Sequence, residues 1–235
     1  MNQEFSTQLN PALILPNVPA SRTSAGLRFT GIVLAGSALV ALCAHLALPL
    51  YFTPVPLSMA PFAVLVVGLL LSPRLAASTL AAYLIEGAMG LPVFSPSPAI
   101  PGYAHLIGPT GGYLLSYPLA AALIAWLLGR SRPSIGPKFL SGFASAVFSA
   151  TLGSLVILAS GATWLAVLTH ATGQSIFNLA VLPFLPGDAL KIVAAAALSA
   201  GWTRHRRSAL TTSCSTGPLL QKPPSFLARK DIYLP

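Results

Sequence analysis

Residues 29–51, FTGIVLAGSALVALCAHLALPLY, decide how this chain is to be read. The run holds no Asp, Glu, Lys or Arg and is long enough, as a helix of roughly 20 apolar residues, to cross a hydrocarbon core of about 30 Å. Arg22 and Arg28 stand just before it. Further along, basic residues recur only at alternate connections between apolar stretches. Arg74 divides the second stretch from the third, Arg130, Arg132 and Lys138 divide the fourth from the fifth, and Arg204, Arg206 and Arg207 follow the last. Outside the far C-terminal tail, only Lys191 breaks the pattern. Basic loops are retained in the cytoplasm, so the pattern predicts a multi-pass protein of the cytoplasmic membrane with both termini inside and its uncharged loops outside.

Composition agrees. Charged residues are 7% and hydrophobic residues 54% of the chain, whereas an ordinary soluble domain is about 25% charged. The net charge of +9 does not indicate nucleic acid, because such a surface needs its bases gathered on one face beside aromatic or polar readers. Here they mark loops, and their partner is the lipid bilayer, whose anionic inner leaflet favours each nearby base by roughly 1 kcal/mol. Cys43 and Cys214 form no disulfide framework. His45, His105, His170 and His205 are scattered and no metal-binding motif occurs, so neither a metal nor another cofactor is expected.

Six spans follow: 29–51, closed by Pro49; 56–72; 75–90; 111–129; a fifth from after Lys138 to Ala159 or Ser160; and a sixth from Pro186 to Trp202. Pro54 and Pro56 bracket an external turn, and Ser72-Pro73-Arg74 makes an internal one. The proline-rich segment from Leu91 to Thr110 disfavours continuous helix. Residues 160–186, polar from Thr169 to Ser175, read as an external re-entrant or interfacial element. A seventh span would place Arg204 to Arg207 outside, against the charge rule. The predicted fold is thus an all-α membrane protein: a cytoplasmic lead at 1–27 without signal-peptide features, a six-helix membrane domain at 28–203, and a basic tail at 204–235 expected to be mostly disordered. No internal repeat points to duplicated transporter halves.

Three ionisable residues remain in or beside the apolar spans: Glu86, Asp188 and Lys191. Charges there are costly and normally pair or face a polar cavity. All three fall toward the outer side, and their convergence would form one external pocket. Asp188 and Lys191 are three residues apart and share a helix face. Asp188 also suits the positive end of a helix dipole, and Lys191 could instead extend to the outer headgroups. Ligand binding stands beside those readings, favoured because Lys191 is the only base on the external half. Gly108-Pro109-Thr110-Gly111-Gly112-Tyr113 opens the fourth span with glycines that permit close approach of a ligand or a neighbouring helix. It lacks the GK[ST] of a phosphate loop. In the first span, Gly31 with Ala35 and Ser37 with Ala41 have the small-xxx-small spacing of close helix contacts. No GxSxG elbow or other catalytic set is present.

Four segments together resemble the BioY family, the biotin-binding S components of energy-coupling factor transporters. They are Pro54-Val55-Pro56-Leu57-Ser58, Tyr83-Leu84-Ile85-Glu86-Gly87-Ala88-Met89-Gly90-Leu91-Pro92-Val93-Phe94, Gly108-Pro109-Thr110-Gly111-Gly112-Tyr113-Leu114 and Leu182-Pro183-Phe184-Leu185-Pro186-Gly187-Asp188-Ala189-Leu190-Lys191. The resemblance covers about residues 28–202 and implies a six-helix S-component bundle that captures biotin from outside. It also implies a transmembrane coupling subunit and two ATPase subunits as partners, consistent with the lack of a Walker A sequence here. By resemblance, Gly31 and Ala35, or Ser37 and Ala41, would meet the coupling subunit. Lys191 would take an anionic or carbonyl oxygen of biotin, and Asp188 would orient Lys191 or accept a ureido N–H. Glu86, Thr110, Gly111, Gly112 and Tyr113 complete the candidate set.

The chain departs from the family at two places. Ser95-Pro96-Ser97-Pro98-Ala99-Ile100-Pro101-Gly102 replaces a glycine-rich loop, and Ser58-Met59-Ala60 replaces Thr-Leu-Gln, removing an amide at Ala60. Rival readings are an S component for another small vitamin, an intramembrane enzyme using Glu86 or Asp188 as acid or base, and a membrane scaffold without a ligand.

Overall fold

The computed structural model describes residues 22–48, 55–96, 102–130 and 138–215. The lead up to Ser21, the closing Pro49, Pro54 of the external turn, most of the 95–101 loop, Arg132 and the tail beyond Ser215 lie outside them. Helix dominates, as a bilayer requires of a chain that must satisfy its own backbone polar groups. The first helix, α1 (Arg22–His45), leads into a two-residue antiparallel ladder of β1 (Ala47–Leu48) with β2 (Leu57–Ser58). Then come α2 (Ala60–Leu70), α3 (Pro73–Ala88), the single turn α4 (Ala104–Ile107) and α5 (Gly111–Arg130). The chain ends with α6 (Lys138–Thr169), α7 (Gly173–Ile176), a π-helical turn (Phe177–Val181) and α8 (Leu185–Ser215).

The boundaries follow from local chemistry and correct several expectations. Pro73 opens α3 directly after Ser72, whose extended ψ of 157° is the conformation a following proline imposes. A turn between α2 and α3 therefore stands where the sequence placed one. α1 ends at His45 rather than running to residue 51, because Ala47 and Leu48 pair with Ser58 and Leu57 instead. α2 has 11 residues, a rise of about 16 Å, half of what a hydrocarbon core needs. α3 has 16 residues. Among the described residues, three helical segments, Gly26–His45, Gly111–Arg130 and Gly142–Thr169, are long and apolar enough to cross a membrane. Gly173–Val181 with Leu185–His205, bent by 47°, makes a fourth if taken as one broken span.

α6 does not stop near Ser160. It continues without a break to Thr169, and the turn comes at His170, which adopts φ 51°. α8 likewise continues past Trp202 to Ser215. Within α5, Pro118 has no N–H to donate, which a membrane helix tolerates when neighbouring elements support it.

α5 packs against α6, α3 and α2; α8 packs against α6 and α2; α1 packs against α3 and α2. One buried cluster includes Val40, Val64, Leu80, Tyr83, Tyr117 and Leu165. A second joins Leu65, Leu69 and Ile124 to Ala146, Ala150, Ala195 and Ala196. Alanine at these contacts lets the helices approach closely, the usual means of association where lipid removes the hydrophobic drive. The apolar side chains left outside are large: Leu42, Leu119, Phe148 and Leu190 are each at least 60% exposed. In α1 the buried line is Val33, Ser37, Val40 and Ala44, spaced as one helix face.

Candidate ligand-binding site

A cavity of about 270 Å³ opens among α2, α3, α5, α6 and α8, rimmed by Phe94 to Pro96 and Gly108 to Thr110. Asp188 and Lys191 form one wall. Asp188 enters α8 in its first turn, its N–H donating to the Phe184 carbonyl at 2.8 Å. Ser154 Oγ on α6 donates to Asp188 Oδ2 at 2.9 Å, and Lys191 Nζ lies 3.4 Å from Asp188 Oδ1. Both charged residues are under 9% exposed, so Lys191 does not extend to the headgroups and Asp188 does more than cap a dipole. Burying an ion pair costs several kcal/mol of desolvation per ion. The pair lines the cavity despite that cost.

Another part of the wall holds residues that sequence reasoning did not single out. Tyr83 on α3 is fully buried and meets Phe94 edge-on at 5.3 Å between centroids, and Phe94 meets His105 of α4 at 5.5 Å. All three line the cavity with Ser95. Tyr83 Oη, Ser95 Oγ and both ring nitrogens of His105 are buried with no hydrogen-bond partner. Buried polar atoms are rarely left so. The signal in the sequence was faint: polar residues in an uncharged stretch, one of them inside a motif.

Thr110 and Tyr113 also line the cavity. Thr110 Oγ1 donates to the His105 carbonyl at 3.3 Å, and Tyr113 Oη donates to the Ala180 carbonyl at 3.0 Å, tying α5 to the π-helical turn. Gly111 and Gly112, expected beside the ligand, are not in its wall. A Cβ at Gly112 would collide with the Trp164 side chain and the Ser160 carbonyl, and one at Gly111 with the Leu106 carbonyl. These glycines seat α5 on α6, and Trp164 Nε1 completes the joint by donating to the Gly108 carbonyl at 2.9 Å. Where the family's amide is missing, Ser58 and Ala60 line the cavity, and Ser58 Oγ accepts from the Ala60 N–H at 3.4 Å.

Glu86 does not join Asp188 and Lys191. It turns toward α1, accepts a hydrogen bond from Ser37 Oγ, and borders a separate open groove with Leu34, Ala38, Leu42 and Val93. Ser37 is fully buried, and Ala41 is partly buried against the core while also bordering this groove. Gly31 and Ala35 are exposed, two residues from the buried line and so about 200° around the helix. Ser37→Ala is expected to cost about 1.5–3 kcal/mol, the worth of a hydrogen bond to a charged group. Its thermal unfolding in detergent should shift accordingly while ligand affinity stays within about twofold. A large loss of affinity would place Glu86 back in the site.

The profile of the BioY family matches residues 19–208. The chain belongs to the BioY family. It is 36% identical over 142 residues to a probable biotin transporter BioY of Pyrococcus horikoshii, covering 60% of this chain and 76% of that protein. A biotin transporter BioY of Thermotoga maritima is 32% identical over 69% of this chain and 88% of its own length. Among solved structures, the S-component for biotin from an ECF-type ABC transporter superposes with a TM-score of 0.67. That match has 21% identity and covers 79% of this chain and 95% of the other. At that identity the likeness speaks for the fold. A BioY-family chain with these apolar helices is a membrane protein.

Proposed function

We propose that this chain is the substrate-specific subunit for biotin uptake across the cytoplasmic membrane, binding biotin from outside for an ATP-driven module to deliver inward. The observation that carries this reading is the buried Asp188–Lys191 pair facing the cavity of a BioY-family fold. A ureido group presents N–H donors beside a carbonyl acceptor. Asp188 matches the first and Lys191 the second, while apolar Val55, Leu114 and Ile157 suit the rings and chain, as in most small-molecule sites.

The chain crosses the membrane six times with both termini cytoplasmic. Its charge distribution supports this, with the short α2 and α3 held by neighbours rather than by length. It is not itself an enzyme: a transmembrane coupling subunit docks on the exposed Gly31–Ala35 face of α1, and separate ATPase subunits supply the hydrolysis. The test is equilibrium binding of labelled biotin to the detergent-purified protein, competed with unlabelled biotin and other vitamins. Displacement by biotin alone is the expected result. Displacement by a different vitamin, or no binding by folded protein, would overturn the assignment.

A further inference from the structure

The cavity has two polar walls, and the Asp188–Lys191 pair accounts for one. The other is the set left without partners: Tyr83 Oη, Ser95 Oγ and the His105 ring. It stands on α3, α4 and the segment after α3, whereas Asp188 and Lys191 stand on α8. α3 packs on α1 and α5, and α8 on α2 and α6, so the two sets come from different parts of the bundle and meet at one cavity. Their chemistry differs. Asp188 and Lys191 offer an acceptor and a donor with no net charge. Tyr, Ser and His can all donate, and a carboxylate is an acceptor-only group with room for several donors.

Building on the biotin reading, we propose that His105, with Tyr83 and Ser95, receives the carboxylate of the ligand, and that binding takes up a proton at His105. The reason is charge. A neutral ion pair leaves nothing to balance a carboxylate brought into a buried cavity, and an unbalanced buried charge is costly. The other titratable groups lining the space are Tyr83 of α3, Tyr113 and Tyr117 of α5, and Asp188 and Lys191 of α8. The tyrosines carry no positive charge, and Lys191 is matched by Asp188. Histidine is the side chain that changes charge between about pH 5 and 8, and His105 has both ring nitrogens free to bond.

The sign follows. If the bound state holds one more proton than the free state, affinity falls as pH rises, by at most tenfold per pH unit. Biotin affinity of the full-length protein is expected to drop about tenfold between pH 6 and pH 8. Titration calorimetry in buffers of different ionisation enthalpy should register proton uptake. Biotin methyl ester, which has no carboxylate charge, should show neither effect. His105→Gln keeps a donor but cannot be charged, and should weaken biotin while flattening its pH dependence and sparing the ester. Ser95→Ala should weaken biotin more than the ester without changing the slope.

Biotin binding that is tight, independent of pH and free of proton uptake in the wild type overturns the His105 assignment and leaves the biotin reading standing. An unchanged slope in His105→Gln does the same. No biotin binding at either pH overturns both. The wild-type measurements need no variant to fold.

Discussion

Asp188→Ala is expected to remove biotin binding and to destabilise the protein together, because one substitution strips Lys191 of its counter-charge and the ligand of its acceptor. Lys191 is 6% exposed, and Ser154 Oγ would lose its acceptor as well. Leaving one member of a buried ion pair alone costs about 3–5 kcal/mol. Truncating a buried charge at a binding interface costs about 2–5 kcal/mol of affinity. The two effects separate in a double variant. Asp188→Asn with Lys191→Met removes both charges at similar volume, so thermal stability should recover most of the loss while biotin remains unbound. Unfolding curves in detergent and biotin titrations on the same preparations would check this. If the double variant regains affinity along with stability, the pair is structural and the ligand is held elsewhere.

Gly112→Val is expected to be the second largest change, at a residue that touches no ligand. Its new side chain would run into Trp164 and the Ser160 carbonyl, and α5 could no longer seat on α6. Overpacking of this kind typically costs 1–3 kcal/mol, and the backbone carbonyl among the colliding atoms puts the expected loss at about 3 kcal/mol. Thr110 and Tyr113 flank Gly112 in the cavity wall, so affinity should fall with stability. Gly129→Ala is the matched control. A Cβ there meets nothing within 4 Å, and alanine is the better helix former by about 1 kcal/mol. The first variant should melt earlier and the second no earlier than the parent. Equal melting would mean that α5 and α6 are not held by this joint.

The glycine result illustrates how far the motif could be read. Gly111 and Gly112 were legible as points of close approach, but not as to what approaches. The answer, an α6 residue 52 positions along, depends on how two helices cross. Glu86 failed for a similar reason. Its depth in α3 was readable, yet its neighbour Tyr83 lies three residues back and faces the cavity, while Glu86 meets Ser37. Which side a residue of a short, nearly uniformly apolar helix presents is weakly encoded in its pattern. Asp188 and Lys191 were legible because a charge in an apolar span is costly enough to demand a partner. A three-residue spacing on a helix supplies one.

His105, Tyr83 and Ser95 were missed because polar, uncharged residues at a helix end or in a connection cost nothing where they meet water. Their significance appears only once burial and the lack of partners are known. The membrane class, the family and the ion pair were determined by the sequence alone, since each rests on local chemistry: apolar run length and the type and spacing of residues. The enclosure of the cavity, the meeting of its two polar groups in it and the diversion of Glu86 toward α1 were decided by the tertiary structure. Those depend on helix rotation and crossing, which contacts between distant segments set.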